Sequence, residues 1–361
     1  MQVVLYNPKV PDEYGVGWYM NVHPCCWGPG NARVFPSSLF NIGYGYRERG
    51  CEVFYTEDMP QSADVIVMPI TLHRRRWYVD EALKLRSRIR GCRIEAMECP
   101  SGMGDDDSLI SNGVFDGFHR WEAFRRVAFD ILPDLTFDPW IFVFDGCPHS
   151  CVFCCWRRVR NRLDYLGHSM DVGDLIRLAE RLAGGSRQMP YLMCSDITED
   201  RGWFERFKEG WPRWPYITDV RATNVEKFEE LAETGCRSVT MGLEAADDDV
   251  LAEIRKGFTT SDWLKAHDKL VSLGIRVSVP ILFGLSDRED PEKYARFVSE
   301  NGLREDRMHC GIAKMYPGSP WYGQSFEWYV EYGDPLKVRV GVALAVEKMR
   351  RFKELVKCKS A

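Results

Sequence analysis

Short runs of β-branched and aromatic residues alternate along this chain with segments whose apolar residues recur every three or four positions. Residues 3–6, 52–55, 65–68 and 93–96 predict strands, and 38–49 and 78–90 predict helices between them. Strand and helix in regular succession imply parallel pairing through crossover helices. The first domain is thus expected over 1–134 as an open, doubly wound, Rossmann-like sheet. A linker follows at 132–139, punctuated by Pro133 and Pro139. Beyond it six more strands are predicted, at 141–144, 191–193, 216–220, 238–241, 276–283 and 310–315, with helices at 171–182, 224–233, 247–255, 260–273 and 291–301. Six such units are too few for an eight-unit barrel and predict a partial (β/α)6 TIM-type barrel over 135–330, with ligands at the C-terminal strand ends. The last segment, 331–361, is expected to be a helix, amphipathic over 337–356.

Composition narrows the class. The 361 residues are 45% hydrophobic and 28% charged, which excludes a mainly disordered chain. A formal net charge of -5 provides no overall basic field for nucleic acid or anionic membrane. The charge-free stretch 14–32 is broken by Gly15, Gly17, Pro24, Gly28, Pro29 and Gly30, so no membrane span is expected there. The opening residues lack the basic start and long apolar run of a secretory signal, and a cytoplasmic location is expected. Thirteen cysteines, an odd number, then read as thiols or metal ligands rather than a disulfide framework.

Three of them fall in one loop after strand 141–144: Cys147, Cys151 and Cys154, spaced C-x3-C-x2-C. Thiolates so closely spaced can converge on one soft metal centre, and cysteine is the usual ligand of iron–sulfur clusters. Zinc would want a fourth ligand in a second pair, which is absent nearby, and His149 and Cys155 sit too close in sequence to close a tetrahedron easily. Three ligands on a four-iron cluster leave one iron open to an external ligand.

This loop, with Phe153 before the third cysteine, resembles the signature of the radical S-adenosylmethionine (radical SAM) superfamily. The resemblance implies a 4Fe-4S cluster on Cys147, Cys151 and Cys154. It also implies chelation of the fourth iron by S-adenosylmethionine (SAM), and cleavage of SAM by one-electron reduction to a 5'-deoxyadenosyl radical that abstracts a substrate hydrogen. Asp219-Val220-Arg221, Met241-Gly242-Leu243-Glu244, Ile254-Arg255-Lys256-Gly257 and Tyr316-Pro317-Gly318-Ser319-Pro320 extend it to about residue 322, similar to the subgroup that includes methylthiotransferases, coproporphyrinogen dehydrogenases and cobalamin-dependent enzymes. Carried over by position, Arg221 and Glu244 would face the ribose or methionine part of SAM, and Lys256 its carboxylate. Where the superfamily often has Gly-Gly-Glu for the SAM amine, this chain has Cys194-Ser195-Asp196, so Ser195 and Asp196 are the candidates there. Beyond strand 276–283 only Cys310 and Cys358 remain, so a second cluster is not expected. Cys155 and Trp156 read as packing under the cluster.

The first domain resembles a cobalamin-binding domain, without the Asp-x-His-x-x-Gly loop that supplies an axial histidine. His23 and His73 lack that context, and the reading favours a domain that kept the fold and lost the cofactor. Its charge is biased: Arg74, Arg75, Arg76, Lys84, Arg86, Arg88, Arg90 and Arg93 stand against Asp80 and Glu81, and Arg157 and Arg158 follow the cysteine loop. Interleaved with Trp77, Tyr78 and Trp156, these arginines make a nucleic acid a candidate substrate, with a solvated helix face as the plain alternative. The expected function is radical SAM chemistry on a nucleobase, served by a flavodoxin- or ferredoxin-type reductant. A cobalamin-dependent methyl transfer is the first alternative, and a non-catalytic module tied by structural metal the second.

Overall fold

Strand β1 (Gln2–Tyr6) reads QVVLY, and its last four residues are all buried. Burial on both faces is what a parallel strand between two helix layers requires, since no polar face is needed toward water. The elements that follow are α1 (Ser37–Glu48), β2 (Glu52–Thr56), β3 (Val65–Ile70), α2 (Arg75–Arg88), β4 (Arg93–Glu98) and β5 (Gly117–His119). In the computed structural model, which describes residues 1–9, 37–70, 75–98, 110, 112–119, 126–132, 139–143, 147–154, 169–184, 189–313, 319–321, 327–331, 334–338 and 342–357, these strands form one sheet of order β2-β1-β3-β4-β5. Each neighbouring pair in it is parallel. The order reverses between β1 and β3, as in flavodoxin-like doubly wound sheets. Trp77, Tyr78, Ala82 and Leu85 of α2 pack with Val4, Ile66, Ile94 and Phe115.

The chain continues through β6 (Trp140–Phe142), α3 (Val172–Gly184), β7 (Tyr191–Met193), α4 (Arg201–Gly210), β8 (Tyr216–Asp219), α5 (Phe228–Glu233) and β9 (Cys236–Thr240). It goes on with α6 (Asp248–Glu253), α7 (Thr260–Ser272), β10 (Arg276–Phe283), α8 (Pro291–Glu300) and β11 (Met308–Ile312). The six strands make a second sheet in simple chain order, β11-β10-β9-β8-β7-β6. Its helices start where local chemistry directs: Thr259 and Asp262 close a capping box on α7, and Asp290 caps α8 just before Pro291. Two short strands, β12 (Glu327–Glu331) and β13 (Asp334–Val338), pair with each other, and α9 (Val342–Lys357) follows.

Three features depart from the sequence reading. β5 is only three residues long, too short to leave a periodic signal. α4 was unforeseen because its buried face is aromatic, Trp203, Phe204 and Phe207, rather than aliphatic; Asp200 caps it by accepting from the Trp203 amide at 2.9 Å. The last helix begins at Val342, since 334–338 are spent in a strand.

Two compact units divide the chain. One is Met1–Asp145 with Asp164–Tyr191 and Val330–Asp334, the other Gly146–Leu163 with Leu192–Tyr329 and Pro335–Ala361. Among the described residues no helix is long and apolar enough to cross a membrane.

Candidate active site

The residues singled out by spacing meet in the second unit. The loop carrying Cys147, Cys151 and Cys154 is held by its backbone. The Cys154 amide donates to Cys151 O at 3.3 Å, the Val152 amide to Ile254 O at 3.1 Å, and the Trp321 amide to Val152 O at 3.2 Å. Cys151 is buried and its two companions half-buried, all three outside any disulfide. Three thiols on one short loop are the donor set of a soft centre, and they fit an iron–sulfur cluster. Among the described residues no three His, Cys, Asp or Glu side chains are gathered closely enough for a single metal ion.

Around that loop stand two buried cations. Lys256 donates to Glu244 Oε1 at 2.8 Å, both side chains being almost wholly buried. Glu244 reaches this position at a cost, because its φ is 68°, a left-handed conformation worth about 1–2 kcal/mol for a non-glycine residue. It is held there from both sides, its amide donating to Pro280 O and its carbonyl accepting from the Leu282 amide, each at 2.9 Å. Gly242 makes room for the folded-back carboxylate, since a Cβ there would lie 2.2 Å from Glu244 Oε1. Arg221 donates to Cys151 Sγ at 3.7 Å and to the Lys256 carbonyl. The rings of Phe153 and Phe258 lie 5.9 and 5.7 Å from Lys256 Nζ, and Phe258 lies 5.6 Å from the Arg221 guanidinium.

Asp196 turns inward. One carboxylate oxygen accepts from the Thr198 amide and hydroxyl at 2.8 and 2.7 Å, the other from the Arg221 amide and Asn224 Nδ2 at 2.9 and 2.8 Å. A carboxylate has about four acceptor positions, so Asp196 is committed to tying the turn after β7 to the one after β8. Burial still raises its pKa. Ser195 beside it is half-buried, and burial pushes the Cys194 thiol well up, which marks it as packing. His149, within the cysteine loop, points its Nε2 at Glu199 Oε2, 3.4 Å away. Glu199 also accepts from Asn224 at 3.3 Å. Burial pushes the Glu199 carboxyl up, but the bonds from His149 and Asn224 outweigh it and leave it below its usual value.

The structure thus brings Arg221, Glu244, Lys256 and Phe153 together around the cysteine loop, and adds Asn224, Glu199 and Phe258, which sequence reasoning did not single out. An aromatic directly after Lys256-Gly257 and an Asn three positions after Arg221 were the available signals.

The arginine surface looks different from expectation. The aromatic rings of Trp77 and Tyr78 are in the core of the first unit, so neither offers a face to a base. Arg86 is spent on Asp116 at 2.8 Å and Val114 O at 3.1 Å. Arg76 and Arg90 are exposed but stand toward opposite ends of α2, whose 14 residues rise about 20 Å. Arg74, Arg157, Arg158, Trp156, Cys155, His23 and His73 lie outside the described residues, as does the side chain of Arg75.

Residues 141–298, which span the cysteine loop, Arg221, Glu244 and Lys256, match the family model described as the Radical SAM superfamily. These residues carry a radical SAM domain. A radical SAM domain implies a 4Fe-4S cluster and SAM. A curated relative, the "uncharacterized methyltransferase PH0819" of Pyrococcus horikoshii, is 26% identical over 186 residues, which cover 48% of this chain and 39% of that protein. The match therefore spans about two fifths of the relative's length. Among solved structures, the radical SAM methyltransferase TsrM from Kitasatospora setae, with cobalamin and a 4Fe-4S cluster bound, has a TM-score of 0.59 at 14% identity, covering 88% of this chain and 73% of that one. OxsB, a cobalamin-dependent SAM radical enzyme holding aqua-cobalamin and SAM, has a TM-score of 0.58 at 10% identity over 97% of this chain and 65% of that one. At such identities the likeness is one of fold: a Rossmann-like sheet followed by a partial barrel. The preference for a first domain that has lost cobalamin gains no support, because both of these structures hold that cofactor.

Proposed function

We propose that this protein is a cobalamin-using radical SAM methyltransferase, with the cluster on Cys147, Cys151 and Cys154. The observation that carries the reading is the extent of the fold likeness, which runs over 88% and 97% of the chain in two cobalamin-bound structures and so takes in the first sheet. The methyltransferase name of the curated relative points the same way. Bound cluster and SAM would supply reductive SAM cleavage, and cobalamin a carrier for the methyl group.

The chain's own residues suit these roles. The thiols are the donor set of the cluster. The Glu244–Lys256 pair and the Phe153 and Phe258 rings wall its surroundings with buried charge and apolar surface, which strengthens electrostatic contacts by excluding water. In the first unit, Asn7 ends β1 at the point where strand order reverses, the usual ligand crevice of an open sheet. Its side chain is 1% exposed. Nδ2 donates to the Tyr55 hydroxyl at 3.1 Å, while Oδ1 has no hydrogen-bond partner. A buried acceptor left open at that crevice suits a ligand rich in N–H donors, such as the amide side chains of a corrin.

Anaerobic reconstitution with iron and sulfide, then dithionite and SAM, should yield 5'-deoxyadenosine or a demethylated SAM product, with Cys151→Ala yielding neither. The same protein incubated with hydroxocobalamin and desalted should retain a stoichiometric corrin spectrum. A full cluster with no retained corrin would remove the cobalamin part of the reading, and no product with a full cluster would remove the methyltransferase part.

A further inference from the structure

Arg221 is a buried cation whose partners do not include a carboxylate. The residue is 7% exposed. Its Nη2 donates to the Lys256 carbonyl, its Nη1 lies 3.7 Å from Cys151 Sγ, and its Nε has no hydrogen-bond partner. Among the described residues no acidic group forms an ion pair with it. Glu244 is taken by Lys256 at 2.8 Å, and Asp196 receives the Arg221 backbone amide rather than the guanidinium. Phe258 covers one face at 5.6 Å. Holding a guanidinium in such surroundings is costly unless an anion compensates it. The nearest sulfur is neutral as a thiol and negative as a thiolate ligand. Cys151 is moreover the buried member of the three cysteines, so its sulfur is the one least screened by water.

We infer that Arg221 is the positioning residue of the iron–sulfur centre: its guanidinium donates to the ligand sulfur of Cys151, fixes that ligand and sets how readily the cluster accepts an electron. This rests on the reading of Cys147, Cys151 and Cys154 as cluster ligands. On reduction a cluster takes up one electron from an external donor and gains one negative charge, and no bond to protein is made or broken. A buried cation bonded to a ligand sulfur stabilises that added charge and raises the reduction potential. The geometry therefore turns Arg221 toward the cluster, where the sequence resemblance had turned it toward SAM.

The test is a redox titration of the anaerobically reconstituted full chain, followed by electron paramagnetic resonance and carried out without SAM, on the wild type, Arg221→Gln and Arg221→Lys, with iron and sulfide content measured for each. With the charge removed in Arg221→Gln, the ratio of reduced to oxidised cluster at a fixed potential should fall about tenfold, equivalent to 59 mV for a one-electron couple. Arg221→Lys, which keeps the charge but loses the planar fork, should fall less. If Arg221→Gln does not hold its cluster, the lysine variant and its changed spectrum carry the comparison. An unchanged SAM-free potential in a fully loaded variant would overturn the inference, and a simultaneous loss of SAM affinity by equilibrium dialysis would place Arg221 at SAM instead. A wild type that takes up no more iron than Cys151→Ala would overturn the cluster assignment itself, and this inference with it.

Discussion

At the scale of single residues, the site is built on charges that have nowhere else to go. Lys256 and Glu244 are each other's compensation, so removing one strands the other in the interior. Lys256→Met should lower unfolding stability by about 3–5 kcal/mol, whereas Glu244→Leu combined with Lys256→Met should cost much less. Denaturant titrations of the three proteins check this, and additive losses would contradict it. A second buried carboxylate, Glu95 in β4, accepts from His119 at 2.6 Å, Arg93 at 2.7 Å and the Tyr46 hydroxyl at 2.5 Å. Chiefly the His119 bond, working against burial, lowers its pKa from 4.5 to about 2. A depressed carboxylate stabilises the fold fully above its unfolded value and loses that contribution as pH falls through the folded one. The stability gap between wild type and Glu95→Gln should accordingly be widest near neutrality and close between pH 4.5 and about 2, which urea midpoints across that range would register. None of this coupling was legible beforehand, because a sequence shows that Glu95 and His119 exist, not that parallel pairing sets β4 beside β5.

Elements were far more legible than their partners. The runs VVLY and VIVM announced strands through β-branched content alone, and the apolar spacing around Leu39, Ala82 and Leu85 announced helices. What escaped were pieces that carry little periodicity, such as the three residues of β5 and the aromatic face of α4. Turns between elements are equally specific. Gly235, which ends α5, has φ +95°, and a Cβ there would approach Arg213 O to 2.6 Å. Gly274, after α7, has φ +75° and open space around it. Gly274→Ala should cost only the left-handed backbone term of about 1–2 kcal/mol, and Gly235→Ala distinctly more, because backbone must also move. Thermal unfolding of both variants separates the two contributions, and equal losses would count against the close contact.

For the molecule as a whole, two parallel sheets explain why fold class could be read so early. Among the described residues strands and helices alternate over most of both sheets, so local pattern and global topology agree. The chemistry was legible to the extent that it was concentrated: three cysteines within eight residues speak for themselves, while Arg221 needed the turn after β8 to bring it 70 residues back to Cys151. That contact also bears on the life of the protein in the cell. A newly made chain that has not yet received iron holds a guanidinium in its interior with only a neutral thiol before it, and its second unit opens more often than that of the loaded enzyme. Proteases act on such openings, so in iron-starved cells the steady-state amount of wild type should fall faster than that of an otherwise folded Arg221→Gln, as a pulse-chase comparison would reveal. The residue that readies the cluster for electrons would thereby let the cell clear the chains that never acquired one.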